Sequence, residues 1–239
     1  MSAQLDRLDG LDGLDAVDVP KYLAQTYWWA YVHPRAVHVF ERQWLVNLIL
    51  WGNFGRLRDT ALDALGERLP GRTLQIACVY GDLTAKLAAR ITPGSKLDVV
   101  DVLPIQLENL ARKLPDDAPV ALIHGDSAAL RADTGTYDRA LLFFLLHEQP
   151  EETRRATIAE ALRVLKPGGR LVIVDYHRPH KTNPLYLPMI GILRTLEPFA
   201  MDLWRNEVSD WFPAGIDVAS VEKTTAFGGL YQLVIVTKA

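Results

Sequence analysis

The chain has a single cysteine, Cys78, among 239 residues, which rules out an intrachain disulfide and any cysteine-cluster metal site and suits a reducing cytoplasm. Lysine and arginine form no run, and the formal net charge is −3, so no groove that tracks a nucleic-acid backbone is expected. No uninterrupted apolar stretch approaches the roughly 18 residues of a membrane-spanning helix. The acidic amino-terminal residues lack the basic start and apolar run of a secretory signal, so none is expected there. What remains is ordinary globular texture, 49% hydrophobic and 23% charged, in a length that can bury a full core around one sheet.

Residues 1–19 place Leu5, Leu8, Leu11 and Leu14 three apart among glycines and aspartates. That period drifts off a helical stripe, and the like charges repel, so a mobile acidic tail is expected. Residues 20–66 are rich in aromatics, among them Tyr22, Tyr27, Trp28, Trp29, Tyr31, Phe40, Trp44, Trp51 and Phe54. They read as a helical cap of two or three short helices, opened by Pro20 and broken near His33-Pro34. Residues 67–239 read as an α/β domain. Apolar runs at 73–79, 97–100, 119–123, 139–146 and 170–174 predict strands, with amphipathic helices at 83–91, 105–114 and 151–165. Strands alternating with helices of this length require a parallel sheet covered on both faces. The pair at about 216–223 and 230–237, joined through Gly228-Gly229, predicts an antiparallel hairpin. The expected fold is Rossmann-like, with a mostly parallel seven-stranded sheet that ends in the hairpin.

Such sheets bind ligands at the carboxyl ends of their strands, where the strand order reverses. Four segments fall there: Gln75 to Asp82 after the first strand, Asp101 at the end of the second, Gly125-Asp126-Ser127 after the third, and Leu146-His147-Glu148 after the fourth. Asp101 follows Gly81 by 20 residues, the distance at which an acid meets ribose hydroxyls in a βαβ unit. Plainer roles stand beside these. Asp101 could cap the helix near Pro104, Asp126 could serve its turn, Tyr80 could pack on the cap, and His147 could be a satisfied buried histidine. Cys78 reads as structural rather than nucleophilic.

Tyr137-Asp138, Leu146-His147 and Ala161-Leu162-Arg163-Val164-Leu165-Lys166-Pro167-Gly168-Gly169-Arg170-Leu171 resemble the late motifs of class I S-adenosylmethionine-dependent methyltransferases, over about residues 72–179. The resemblance implies S-adenosylmethionine as cofactor, with Asp101 on the ribose and Asp126 near the adenine. It implies a binding set of Tyr22, Tyr27, Gln75, Ala77, Cys78, Gly81, Asp101, Val102, Asp126 and Ser127. The first loop departs from that family's Asp/Glu-x-Gly-x-Gly-x-Gly. Gln75 replaces the acid, and Ala77 and Val79 replace glycines that would let backbone approach a ligand without a Cβ.

A narrower group shares the departure. Tyr22-Leu23, Thr26-Tyr27-Trp28-Trp29-Ala30-Tyr31-Val32-His33-Pro34 and Cys78-Val79-Tyr80-Gly81 resemble rhodoquinone biosynthesis proteins of the RquA type. That resemblance implies replacement of a ubiquinone methoxy group by an amino group, with nitrogen from S-adenosylmethionine and a required manganese(II). It also implies ubiquinone as substrate and attachment to the inner membrane surface from the cytoplasm. Tyr80, Asp126 and His147 are the candidate catalytic residues. The metal ligands are not legible, since Asp126, His147, Glu148 and Asp175 all end strands and no clustered motif marks a site. Ordinary methyl transfer to a quinone or phenol, and a non-catalytic cofactor-binding subunit, are the rival readings.

Overall fold

The computed structural model describes residues 19–27 and 41–239. The expected tail at 1–18, the aromatics Trp28, Trp29, Tyr31 and Phe40, and the break at His33-Pro34 lie outside the described residues. Among the described residues three helices come first: α1 (Lys21–Thr26), α2 (Gln43–Ile49) and α3 (Phe54–Leu65). Then follow β1 (Arg72–Ile76), α4 (Leu83–Ala88), β2 (Lys96–Asp101), α5 (Pro104–Ala111), β3 (Val120–His124) and β4 (Tyr137–Phe143). After a 3-10 turn at Leu146–Glu148 come α6 (Glu151–Val164), β5 (Leu165–Tyr176), α7 (Tyr186–Leu196), β6 (Val218–Ala226) and β7 (Tyr231–Lys238).

The seven strands order as β3-β2-β1-β4-β5-β7-β6. The first five pair in parallel, and β7 runs antiparallel to both β5 and β6. Burial explains the order. After one exposed residue each, β1 and β2 are buried throughout, as strands covered on both faces must be, whereas β6 is mostly exposed and forms an edge. The chain reverses direction across the sheet between β1 and β4, so their carboxyl ends open a crevice. Phe54, Leu57, Ala61, Leu62 and Leu65 of α3 join the main core, so this part of the expected cap packs on the sheet itself. Leu23 and Tyr27 instead form a small cluster with Leu103.

The β1 boundary differs from expectation. The apolar run continues to Val79, but the strand stops at Ile76 because Ala77 turns left-handed, with φ of 71°. The hairpin turn is as expected at Gly228 and Gly229, both left-handed, with Phe227 also at positive φ. Among the described residues no helix is long and apolar enough to cross a membrane.

Candidate active site

A cavity of about 540 Å³ opens at the carboxyl ends of β1, β2, β3 and β4. Its volume falls within the range of small-molecule and cofactor sites, about 300–1,000 Å³. One end is polar. Asp101, Asp126 and Ser127 line it together with Tyr22, Val102 and the loop 77–80. The other end is apolar, formed by Leu48, Ile49 and Trp51 near α2 and by Ile192, Leu193 and Leu196 of α7.

Asp101 is buried, and its two carboxylate oxygens take different backbone donors. Oδ2 accepts the Cys78 N–H at 2.7 Å and Oδ1 accepts the Leu103 N–H at 2.8 Å. One acid thereby fixes the loop after β1 against the end of β2. It does not cap α5, whose preceding residue Leu103 has no side-chain cap. Burial raises its pKa and the two amides oppose the rise. The Cys78 thiol also bonds this carboxylate, which lines the cavity. Asp126 accepts the Ala128 N–H at 2.8 Å and so does serve its turn, while still lining the cavity.

Three residues of the expected binding set stand behind the cavity wall. Gln75 is fully buried, donating from Nε2 to the Ala77 carbonyl at 2.9 Å and accepting from Thr84 at 3.0 Å. Its amide therefore braces the turn rather than presenting itself to a ligand. Gly81 has φ of 83°, and a Cβ there would sit 3.0 Å from the Phe54 ring. Tyr27 is fully buried, its hydroxyl directed at the Glu197 carboxylate, which does line the cavity.

Tyr80 lines the cavity with its hydroxyl accepting from Gln106 Nε2 at 2.8 Å. Burial raises its pKa, so the phenol stays protonated. His147 sits on the turn after β4 with Nδ1 2.9 Å from Asp175 Oδ1 and Nε2 3.7 Å from Glu148. Burial by itself would lower its pKa, but Asp175, Glu197 and Glu148 together raise it to about 9. This favours the protonated, donating form of His147 at neutral pH. Asp175 is fully buried and also accepts the N–H groups of Leu146, at 2.9 Å, and Tyr176, at 2.7 Å, which fixes the imidazole's orientation. Cys78 carries a thiol pushed well up by burial and by the Asp101 carboxylate, consistent with an inert side chain. Among the described residues no group of three or more His, Cys, Asp or Glu side chains could hold a metal ion. The side chains described therefore do not by themselves fit a manganese site.

Residues 73–169 match the family described as a methyltransferase domain. The fold is the Rossmann-like methyltransferase fold, and the matched domain runs from β1 into β5. A demethylmenaquinone methyltransferase of Staphylococcus aureus is 27% identical over 148 residues, covering 62% of this chain and 60% of the relative. A solved methyltransferase from Aquifex aeolicus aligns with a TM-score of 0.55 at 16% identity, covering 87% of this chain and 99% of its own. The phosphoethanolamine N-methyltransferase 2 of Haemonchus contortus, solved with S-adenosyl-L-methionine, aligns with a TM-score of 0.57 at 13% identity, covering 95% and 60%.

Within this methyltransferase fold, several residues that position the site escape a reading of the sequence. Glu41, ahead of α2, accepts the Gly81 N–H at 3.1 Å, Asn109 Nδ2 at 2.6 Å and Lys113 Nζ at 2.7 Å. Lys113 also donates to the Gly81 carbonyl at 3.1 Å, so the pair grips the N–H and the carbonyl of one residue in the loop. Arg154 is fully buried, donating to the carbonyls of Leu146, Gln149 and Phe199, each at 2.9 Å, and lying over the Trp211 ring at 4.4 Å. It ties the His147 turn to the segment just beyond Glu197. Gln149 links Ser127, at 3.1 Å, to Thr157, at 3.0 Å.

Proposed function

We propose that this chain is an S-adenosylmethionine-dependent transferase whose acceptor is a lipophilic quinone. The observation that carries the reading is the cavity's lining: Asp101 and Asp126 at the strand ends, and aliphatic and aromatic side chains in and beside α2 and α7. Asp101 would meet the ribose hydroxyls, and Asp126 with Ser127 the adenine side. The backbone of 77–80 would flank the methionine portion. S-adenosylmethionine supplies the group transferred.

The finer reading is replacement of a quinone methoxy group by an amino group, in which the cofactor's amine would displace methoxide from the ring. The bond from nitrogen to the α-carbon would then break by way of an imine and water, the quinone ring accepting the electron pair. Support comes from the resemblance carried by residues 22–34 and 78–81 and from Gln75 in place of an acid. An acid near the methionine ammonium would keep that nitrogen charged and useless as a nucleophile, and the neutral Gln75 amide does not. A protonated His147 can donate a hydrogen bond to a quinone carbonyl and draw electron density from the ring, work otherwise assigned to a Lewis acid. Asp126 is then the candidate base, and Tyr80, anchored by Gln106, positions the ring. A manganese requirement belongs to this reading as well, and no step above passes through the metal.

The likeness to the demethylmenaquinone methyltransferase favours a second reading, methyl transfer to a quinone ring. Product mass separates the two. With quinone and [15N]-labelled S-adenosylmethionine, with and without manganese, amino transfer yields a labelled aminoquinone that has lost its methoxy group. Methyl transfer yields an unlabelled, methylated quinone. Absence of both products rejects the enzyme reading altogether.

A further inference from the structure

We propose that the exposed faces of α2 and α7 seat the protein on the surface of a bilayer containing anionic phospholipid. The proposal deepens the quinone reading and rests on it for the lipophilic substrate that such a surface would deliver. Leu48 is 64% exposed, Trp44 62% and Leu187 74%, and Ile49, Trp51, Ile192 and Leu196 are exposed beside them. These side chains occupy only two short segments of the chain, and five of them also line the cavity: Leu48, Ile49, Trp51, Ile192 and Leu196. The patch is therefore continuous with the cavity's apolar end. An apolar rim around an opening marks an interaction surface rather than chance exposure.

Charge chooses the lipid partner. Neither α2 nor α7 holds an acidic residue, and Arg194 is the one charge on the pair. The flanking positions Arg42, Arg178 and Lys181 are exposed cations. The nearest flanking acids face inward, Glu41 onto Lys113 and Glu197 into the cavity. Tryptophan and leucine between cationic flanks is the pattern of a helix lying in a bilayer interface, where headgroup charge and acyl chains meet the two kinds of side chain. A quinone partitioned in the bilayer would then enter the cavity without crossing water.

The test is vesicle flotation of the full chain, with phosphatidylcholine vesicles compared with vesicles that also contain phosphatidylglycerol. The wild type should float with the anionic vesicles, and less so as salt rises. Leu187→Asp and Trp44→Ala, neither of which lines the cavity, should each weaken binding by about tenfold or more, with unchanged thermal unfolding. Both variants should turn over a tailless, water-soluble quinone at the wild-type rate and lose turnover of a long-chain quinone held in vesicles. Failure of the wild type to float with either vesicle, or wild-type binding by a folded Leu187→Asp, overturns the proposal. So does a homodimer in solution that Leu187→Asp dissociates and vesicles never bind, since the patch would then be a protein interface. Vesicle binding with no turnover of any quinone sustains the docking surface and rejects the quinone reading.

Discussion

His147 offers the most quantitative test of the site. Its Nδ1 stands 2.9 Å from a fully buried carboxylate, and its pKa is raised from 6.5 to about 9. At about 1.4 kcal/mol for each tenfold difference in proton affinity, the change corresponds to about 3 kcal/mol of stability. The sign follows from which state holds the proton more tightly. The folded state does, so the contribution is complete below pH 6.5 and vanishes as pH rises through about 9. Urea unfolding of wild type and His147→Gln across that range should show the gap between them shrinking by about 3 kcal/mol. NMR titration of the imidazole should place its midpoint near 9 in wild type and move it back toward 6.5 in Asp175→Asn. A constant stability gap, or a wild-type imidazole that titrates at or below 6.5, refutes the reasoning and leaves a neutral His147 able to act as a base.

Asp101→Asn should weaken S-adenosylmethionine binding by about 1–3 kcal/mol in calorimetric titration. Because the same side chain accepts the Cys78 and Leu103 amides, a smaller loss of thermal stability should accompany it. Gly81→Ala should cost about 2–3 kcal/mol, since it meets both a left-handed backbone and the Phe54 ring, whereas Gly94→Ala, equally left-handed but open, should cost about 1 kcal/mol. Thermal unfolding of the pair isolates the ring contact. Gln75→Glu would turn a carboxylate toward the Ala77 carbonyl, where an amide now donates, and should destabilise the fold by about 2 kcal/mol at neutral pH. The new acid's folded pKa would be raised, so the loss should shrink as pH falls through it and the carboxyl becomes neutral.

The strand-and-helix alternation and the hairpin were legible because each rests on local apolar periodicity and on paired glycines. The acids at the strand ends were legible for the same reason, since the ends of predicted strands locate them. The turn at Ala77 was not, because an alanine at positive φ looks like any other apolar residue in a run. α7 also escaped. Pro188 and Gly191 read as breakers, yet Pro188 falls in the first turn of Tyr186–Leu196, where its missing N–H has no helical partner to lose. Glu41 bonds a peptide 40 positions away, and no local pattern announces such a contact. Arg154 was findable, for it occupies the buried stripe of α6 with Thr157, Ile158, Ala161 and Leu162, where an arginine must have internal partners. His147 could be located but not assigned a charge, because its protonation depends on Asp175, Glu148 and Glu197 converging from different segments.

The placement of β7 between β5 and β6 has a consequence for how the chain reaches this fold. β6 and β7 are neighbours in sequence and pair with each other through a short turn, so their hairpin can form from local contacts alone. β5 cannot complete itself in that way. Until β7 docks across Arg170 to Tyr176, one side of this strand, buried in the finished sheet from Leu171 onward, presents unpaired amides and carbonyls. An open edge with apolar faces invites pairing with another chain. The stretch of synthesis between the emergence of β5 and that of β7, some 55 residues, is the interval in which this protein is most exposed to aggregation.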